Sequence, residues 1–499
     1  MGDKRKAVVI GGGLGGLSAA IRLRARGWSV SLYEASDMLG GKAGSETVDG
    51  FRFDTGPSLL TMPDVFEALF AEAGERMGDH VQLIELEEIC RYFYADGSRL
   101  SAWSDEDRFA DELQRVCGEK RKNLKRFLDY CSRIYRIAAP LFLYRSLHEH
   151  STYFSTTFLK SFLRLPGIDP LRTMAGAIES RFDSPKVQQL FERYATYNGS
   201  SPFRTPATLN IIPHVEYRGG AWAVAGGIYA VPAALEKLAR SIGVRIETNT
   251  RVTSITSKSD GHRRRVTGVS IGQHHVPADV VVSNVDISRT YPDLLNEEDA
   301  PELERYRSLE PSSSGMVFYW GVRGITEDFS SHNILFSSDY RKEFSDIFDA
   351  RRMPDDPTVY VSITSRTTPD DAPPDSENWF VLVNAPYDDG QDWSAEVERT
   401  RNAVISTVNE RLGIDITSRI VTEEVMTPVD IAERTSSYRG SLYGISSNST
   451  TSAFLRHPNR SKRYGGLYFC GGSTHPGGGM PLVVLGGKIV SDLILHYET

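Results

Sequence analysis

Residues 7–34, AVVIGGGLGGLSAAIRLRARGWSVSLYE, carry the pattern that most restricts what this chain can fold into. AVVI is a short apolar run rich in β-branched residues, LSAAIRLRAR holds helix formers and stops at Gly27, and SVSLYE alternates apolar with polar and ends on an acid. The order predicts strand, glycine turn, helix, strand: a βαβ unit. Gly11, Gly13 and Gly16 form GxGxxG in that turn, and Glu34 closes the second strand. The first glycine permits the tight turn, the second lets a pyrophosphate approach the backbone, and the third lets helix lie on sheet, while the helix N-terminus offers unpaired N–H groups to phosphates. Glu34 is placed to accept hydrogen bonds from a ribose.

The next stretch enlarges the ligand. LGGKAG places Gly40, Gly41 and the cation Lys42 where a simple nicotinamide enzyme has a plain crossover helix, which implies a larger dinucleotide. Far downstream, VPAALEKLARS predicts a helix, RIETNTRVTSI and ADVVVSNVD predict strands, and GGLYFCGGSTHPGGGMPLVVLGGKIVSDLILHY predicts strand, glycine loop and closing helix. Pro481 fits the first turn of that helix, whose N-terminus would favour negative charge on a reduced flavin ring. The expected fold is α/β: a Rossmann-like domain assembled from residues 1–95, 225–290 and 460–499, and a substrate domain from 96–224 and 291–459. GMVFYWGV, VYVSI and WFVLVNA predict a second β-sheet in the latter.

Composition narrows the function. A chain of 499 residues, 40% hydrophobic and 24% charged, is ordinary globular material. A net charge of -8 argues against nucleic acid as a partner. Cys90, Cys117, Cys131 and Cys470 fall at no metal-ligand spacing, so no metal site is expected and a reducing, cytoplasmic compartment is. No uninterrupted apolar run approaches the length that spans a bilayer. Residues 120–172 stand apart: eleven Lys and Arg oppose only Asp129, Glu149 and Asp169, a net +8 interleaved with Phe142, Phe154, Phe158 and Phe162. This segment is expected to be a helical, membrane-facing region that attracts anionic headgroups.

The motifs GGGLGGL, LGGKAG, FRFDTGPS, RYATYNGSSPF, GGIYAVPAAL and YFCGGSTHPGGGMPLV together resemble the phytoene desaturase family of FAD-dependent carotenoid desaturases, from end to end of the chain. RYATYNGSSPF and STHPGGG are most similar to the 1-hydroxycarotenoid 3,4-desaturase branch. The resemblance implies FAD, held by Gly11, Gly13, Gly15, Gly16, Glu34, Gly40, Gly41, Lys42, Gly56, Pro57, Val252, Gly471, Gly472, Ser473, Gly479 and Met480. Two departures stand out. Lys42 replaces an arginine frequent in the wider amine oxidase group, and Gly472 replaces a frequent acid, so ribityl contacts are expected from backbone or Ser473.

The resemblance also implies a lipophilic C40 carotenoid, a peripheral place on the membrane, and a quinone or oxygen as electron acceptor. Such a polyene has almost no polar handle, so a long apolar tunnel must position it by shape. Hydride loss to the flavin would leave an allylic cation whose neighbouring C–H is acidic enough for a weak base or water to finish the elimination. Asp54 and His475 are the titratable residues inside the flavin-side motifs and are the catalytic candidates, although each reads more readily as a structural hydrogen-bonder. Tyr197, Asn198, Trp222 and Phe318–Trp320 read as tunnel lining or as core, and Cys470 as a small buried thiol. A carotenoid isomerase using reduced FAD and an isoprenoid-binding escort protein are the alternative functions.

Overall fold

A computed structural model describes residues 4–149, 165–261 and 263–498. β1 (Lys6–Ile10), α1 (Leu14–Ala25) and β2 (Ser29–Tyr33) form the predicted βαβ unit, with β1 and β2 parallel. β1 is apolar throughout Ala7–Ile10 because both of its faces are covered. A five-stranded parallel sheet grows around it in the order Leu467–Phe469, Val280–Ser283, β1, β2, Arg245–Glu247. Three separated stretches of chain therefore supply its strands. α1 lies on the closing helix, Met480–Glu498: Ser18 Oγ donates to the Val484 carbonyl at 2.7 Å, and a Cβ on Gly487 would stand 2.6 Å from the Gly15 carbonyl oxygen. By length and composition the closing helix could cross a bilayer. Here it is a core element, with Val484, Leu485, Ile489, Val490 and Ile494 buried.

The second sheet has seven strands, in the order Ile420–Met426, Ser314–Arg323, Ser376–Ala385, Val359–Ile363, His332–Leu335, Glu88–Phe93, Arg99–Trp103. Its neighbours are antiparallel except for Glu88–Phe93, which runs parallel to His332–Leu335. Glu88–Phe93 thus joins this sheet rather than the nucleotide-binding one, and the chain changes sheets before residue 95. Alternation along the strands separates two faces. Met316, Phe318, Trp320, Trp379, Val381 and Val361 point into a core closed by Val404 and Val408 of the helix Trp393–Leu412. Phe318 and Trp320 are therefore core residues.

The opposite face presents Val317, Tyr319, Tyr360, Phe380 and Leu382 to the nucleotide-binding unit. There the hairpin Ser45–Val48 and Phe51–Asp54 is seated: the Phe53 and Tyr319 rings are 5.4 Å apart, and Asn378 Nδ2 donates to the Arg52 carbonyl at 2.5 Å. A Cβ on Gly321 would meet the Phe51 ring at 2.6 Å, so this strand needs glycine at that crossing.

A helical layer covers the far end. Arg121–Phe142 buries Leu124, Phe127, Leu128, Cys131, Ile134 and Leu141 at helical spacing. Its other side leaves Lys122, Lys125, Arg126, Arg133 and Arg136 exposed. Phe154, Phe158, Lys160, Phe162, Leu163 and Arg164 of the expected membrane-facing region lie outside the described residues. Beneath the helices, buried Arg193 donates to Tyr92, Tyr194 and Tyr197 hydroxyls and to Glu216.

Candidate flavin site

The carboxyl ends of β1 and its neighbours carry the site, as open α/β sheets dictate. Gly11 adopts φ of +93°, and a Cβ on Gly16 would fall 2.1 Å from the Gly11 carbonyl oxygen. Gly13 caps α1 without any side-chain hydrogen bond, which leaves the first N–H groups of the helix for a ligand. Glu34 Oε2 accepts the Gly12 N–H at 2.6 Å, and Oε1 accepts the Ser36 N–H and hydroxyl at 2.9 Å each. The second glycine pair rests on the first loop: Gly40 N–H donates to the Gly12 carbonyl at 3.0 Å, and a Cβ on Gly41 would be 3.3 Å from Gly13 Cα. Thr250 N–H donates to the Glu34 carbonyl at 2.7 Å, which draws buried Val252 to this end of the site.

Asn284 joins this half to the other and was not anticipated from the sequence. It follows the strand Val280–Ser283, and its side chain occupies the space that Cβ atoms on Gly13, Gly15 and Gly471 would need, at 2.8, 2.7 and 2.9 Å. The available signal was NVD placed directly after VVVS, at a strand's carboxyl end. Cys470 Sγ lies 3.6 Å from Asn284 Oδ1, and burial pushes its thiol pKa up, so the sulfur stays protonated.

Gly471–Gly479 forms the loop that leads into the closing helix at Met480, with Pro481 in its first turn. Ser473 Oγ accepts the Ile287 N–H at 3.2 Å, so its hydroxyl already has a partner. Against this loop stands the segment Ser441–Gly444: a Cβ on Gly444 would be 2.9 Å from the Gly472 carbonyl oxygen. Lys42 Nζ donates to the Ser441 and Leu442 carbonyls at 2.8 Å each. Burial lowers its pKa to about 8, with Asp286 partly opposing that shift. Gly56 closes the circle, since a Cβ there would strike the Lys42 carbonyl oxygen at 1.9 Å, and Pro57 follows it.

The two catalytic candidates have structural partners. Asp54 is buried; Oδ1 accepts from Arg52 at 2.7 Å and from Tyr229 N–H at 3.1 Å, and Oδ2 from Ile228 N–H at 2.8 Å. It ties the hairpin to the start of the helix Ala230–Ser241, and burial raises its pKa against those donors. His475 donates Nε2–H to the Arg145 carbonyl at 2.7 Å, and burial lowers its pKa to about 3, so the ring is neutral.

Between loop and sheet runs a strip of partly covered side chains, a shallow cleft. Tyr360, Leu382 and Asn384 lie on inner strands yet remain half exposed, whereas Val361, Val381 and Val383 beside them are buried. Facing them, Gly56, Pro57, Ser58, Leu59, Leu442 and Tyr443 are half exposed as well. Tyr197 and Asn198 are half-buried, with the Tyr197 hydroxyl donating to Glu216 Oε2 at 2.5 Å, and Trp222 is half-buried in the strand Trp222–Val224. Tyr319 shares the cleft's face but is buried under Phe53. Two Cβ-free loops, an uncapped helix N-terminus, an acid beside them and a half-buried cation further along fit an extended dinucleotide such as FAD. No group of three or more His, Cys, Asp or Glu among the described residues could hold a metal ion.

Residues 14–495 match the family of flavin containing amine oxidoreductases. The chain belongs to that family. It is an oxidoreductase, and its cofactor is FAD. Among curated relatives of this family member, a 1-hydroxycarotenoid 3,4-desaturase from Flavobacterium sp. is 41% identical, covering 98% of the chain and 99% of the relative. A 4,4'-diapolycopene oxygenase from Methylomonas sp. is 37% identical over 99% and 98%, and a 4,4'-diaponeurosporene oxygenase from Staphylococcus aureus is 36% identical over 98% and 97%. Within the family the chain stands with the carotenoid desaturases. Solved structures share the fold: an oxidoreductase from Methanosarcina mazei, 17% identical, aligns with TM-score 0.63 over 98% of this chain and all of that one. A redesigned putrescine oxidase, 14% identical, aligns with TM-score 0.64 over 99% of each.

Proposed function

We propose that this oxidoreductase is a carotenoid desaturase, introducing double bonds into a C40 or similar polyene. The observation that carries the reading is the 41% identity to a 1-hydroxycarotenoid 3,4-desaturase over 98% of the chain. The half-open row of Tyr360, Leu382 and Leu442 beside the flavin-binding loops is consistent with it. FAD, when bound, supplies a two-electron acceptor for C–H oxidation.

The chain supplies the rest. The glycine loops and Glu34 would hold the dinucleotide, while the apolar row would orient the polyene by shape and keep water from it. Lys42 and the N-terminus of Met480–Glu498 would bring positive potential to the flavin end and so favour negative charge there. The enzyme would dock on a membrane from the cytoplasm, with Lys122, Arg126, Arg133 and Arg136 toward anionic headgroups. A quinone or oxygen would take the electrons onward.

The test is product mass. An acyclic or hydroxylated carotene supplied in liposomes should yield product lighter by two hydrogens for each new double bond. Product that gains oxygen would instead favour terminal oxidation, a second reading motivated by the oxygenase names of the 37% and 36% identical relatives. Unchanged mass with an altered cis/trans pattern would make it an isomerase.

A further inference from the structure

Three residues far apart in sequence meet at the cleft wall. Ser58 Oγ lies 2.6 Å from Tyr360 Oη, and Tyr360 Oη lies 2.8 Å from His332 Nδ1. Ser58 belongs to the loop that begins with Gly56 and Pro57 beside Lys42, whereas Tyr360 and His332 stand on adjacent strands of the second sheet. Tyr360 is paired with Leu382, so its ring belongs to the half-open apolar row. His332 is paired with Ser362, one step further inward, and is buried. The His332 and Tyr360 rings lie nearly parallel, with 7° between their planes.

Behind these residues is a cavity of about 10 Å³, room for one water, lined by Asp54, Ser58, His332 and Ser362 together with apolar Val224 and Ile363. Ser362 Oγ is buried there and has no hydrogen-bond partner, an oxygen that a water would satisfy. With Nδ1 accepting from Tyr360, neutral His332 carries its proton on Nε2. Burial lowers the His332 pKa to about 4 and raises that of Asp54, which disfavours a lasting imidazolium and favours proton uptake by the carboxylate.

We propose that Ser58, Tyr360 and His332 form a relay that carries the proton lost from the substrate out of the cleft, through one cavity water, to Asp54. This rests on the desaturase reading. FAD, when bound, would supply the acceptor for one hydrogen and both electrons of a first substrate C–H bond. The second C–H bond then breaks, its electron pair forms the new C=C, and its proton bonds to Ser58 Oγ. Ser58 passes its own proton to Tyr360 Oη, Tyr360 passes its own to His332 Nδ1, and His332 releases the Nε2 proton through the water to an Asp54 oxygen. Ser58 is the group that meets the substrate; Tyr360 and His332 act through it.

The relay has a signature without turnover. In 15N-labelled, FAD-loaded protein without substrate, His332 should give the spectrum of a neutral ring with Nε2–H and a hydrogen-bonded Nδ1, and Tyr360→Phe should remove that hydrogen-bond shift while the fold is kept. A high-resolution crystal structure should place a water on Ser362 Oγ. With FAD and carotenoid liposomes, Tyr360→Phe and His332→Gln should each lower kcat by about a hundredfold, at the weak end of general-base effects because the departing proton is acidic, with KM and FAD affinity unchanged. Ser58→Ala should match them and Ser58→Thr should recover the rate.

An unshifted Nδ1 signal in Tyr360→Phe, a dry cavity, or wild-type kcat in all three variants overturns the relay. A loss confined to KM also overturns it, since that reports cleft shape. If wild-type protein makes no dehydrogenated product, the desaturase reading falls instead, while the spectrum and the water still decide whether the chain of hydrogen bonds exists.

Discussion

Acidification from pH 7 to pH 5 is expected to destabilise the wild-type protein by about 2 kcal/mol more than it destabilises His475→Gln. His475 is 2% exposed, donates Nε2–H to the Arg145 carbonyl, and is held by burial at a pKa of about 3 against an ordinary 6.5. In the unfolded chain the same ring takes up a proton near pH 6.5. Between those two values the unfolded state therefore binds more protons than the native one, and stability falls as pH drops through the window. At about 1.36 kcal/mol per pH unit, the stretch from 6.5 to 5 supplies the stated loss, and the whole window would supply about 5 kcal/mol. Glutamine can still donate an N–H to the carbonyl but has no proton to gain. His457 and His332, also lowered by burial to about 3 and about 4, titrate in both proteins and drop out of the difference. Urea unfolding at pH 7, 6 and 5 at constant ionic strength measures it. Equal pH slopes for the two proteins would refute the reasoning and show that His475 takes up protons in the folded state.

Gly16→Ala should fail to retain flavin and lose about 1 to 3 kcal/mol of stability, because its Cβ would meet the Gly11 carbonyl oxygen at 2.1 Å; flavin absorbance after gel filtration and denaturant melts report both. Glu34→Ala should weaken FAD by about 1.5 to 3 kcal/mol in calorimetric titration, since it removes a charged acceptor and frees the Gly12 N–H. Arg460→Ala strips two hydrogen bonds from buried Glu149 and should cost about 2 kcal/mol, less than a fully buried pair because Arg460 is 23% exposed; adding Glu149→Gln should restore part of the lost thermal stability.

Local patterns were legible and long-range partners were not. GxGxxG, the stop at Gly27 and the Met480–Pro481 helix start are signals within a few residues, and the structure has the elements they predict. GMVFYWGV is legible as a strand, but both of its faces are buried. Nothing local therefore tells that Phe318 and Trp320 enter the core while Tyr319 turns toward the flavin side. Glu88–Phe93 was misplaced because its parallel partner lies more than two hundred residues away. Asp54 and His475 drew attention as titratable groups, yet the groups that engage them are largely backbone atoms, of Ile228, Tyr229 and Arg145, whose proximity no spacing rule encodes. Asn284 escaped because a single asparagine after a strand resembles any turn residue.

The separated origins of the parallel sheet set an order of events during synthesis. β1 needs Val280–Ser283 as a neighbour, that strand needs Leu467–Phe469, and α1 needs Met480–Glu498 to cover Ser18. At about 5 to 20 residues per second, the glycine loop waits roughly half a minute to a minute and a half after its own translation before the closing helix arrives. A nascent chain can thus fold its second sheet while the nucleotide cradle is still open on one side. Cofactor loading waits for the closing helix, so a chain truncated before residue 467 would emerge unable to hold FAD.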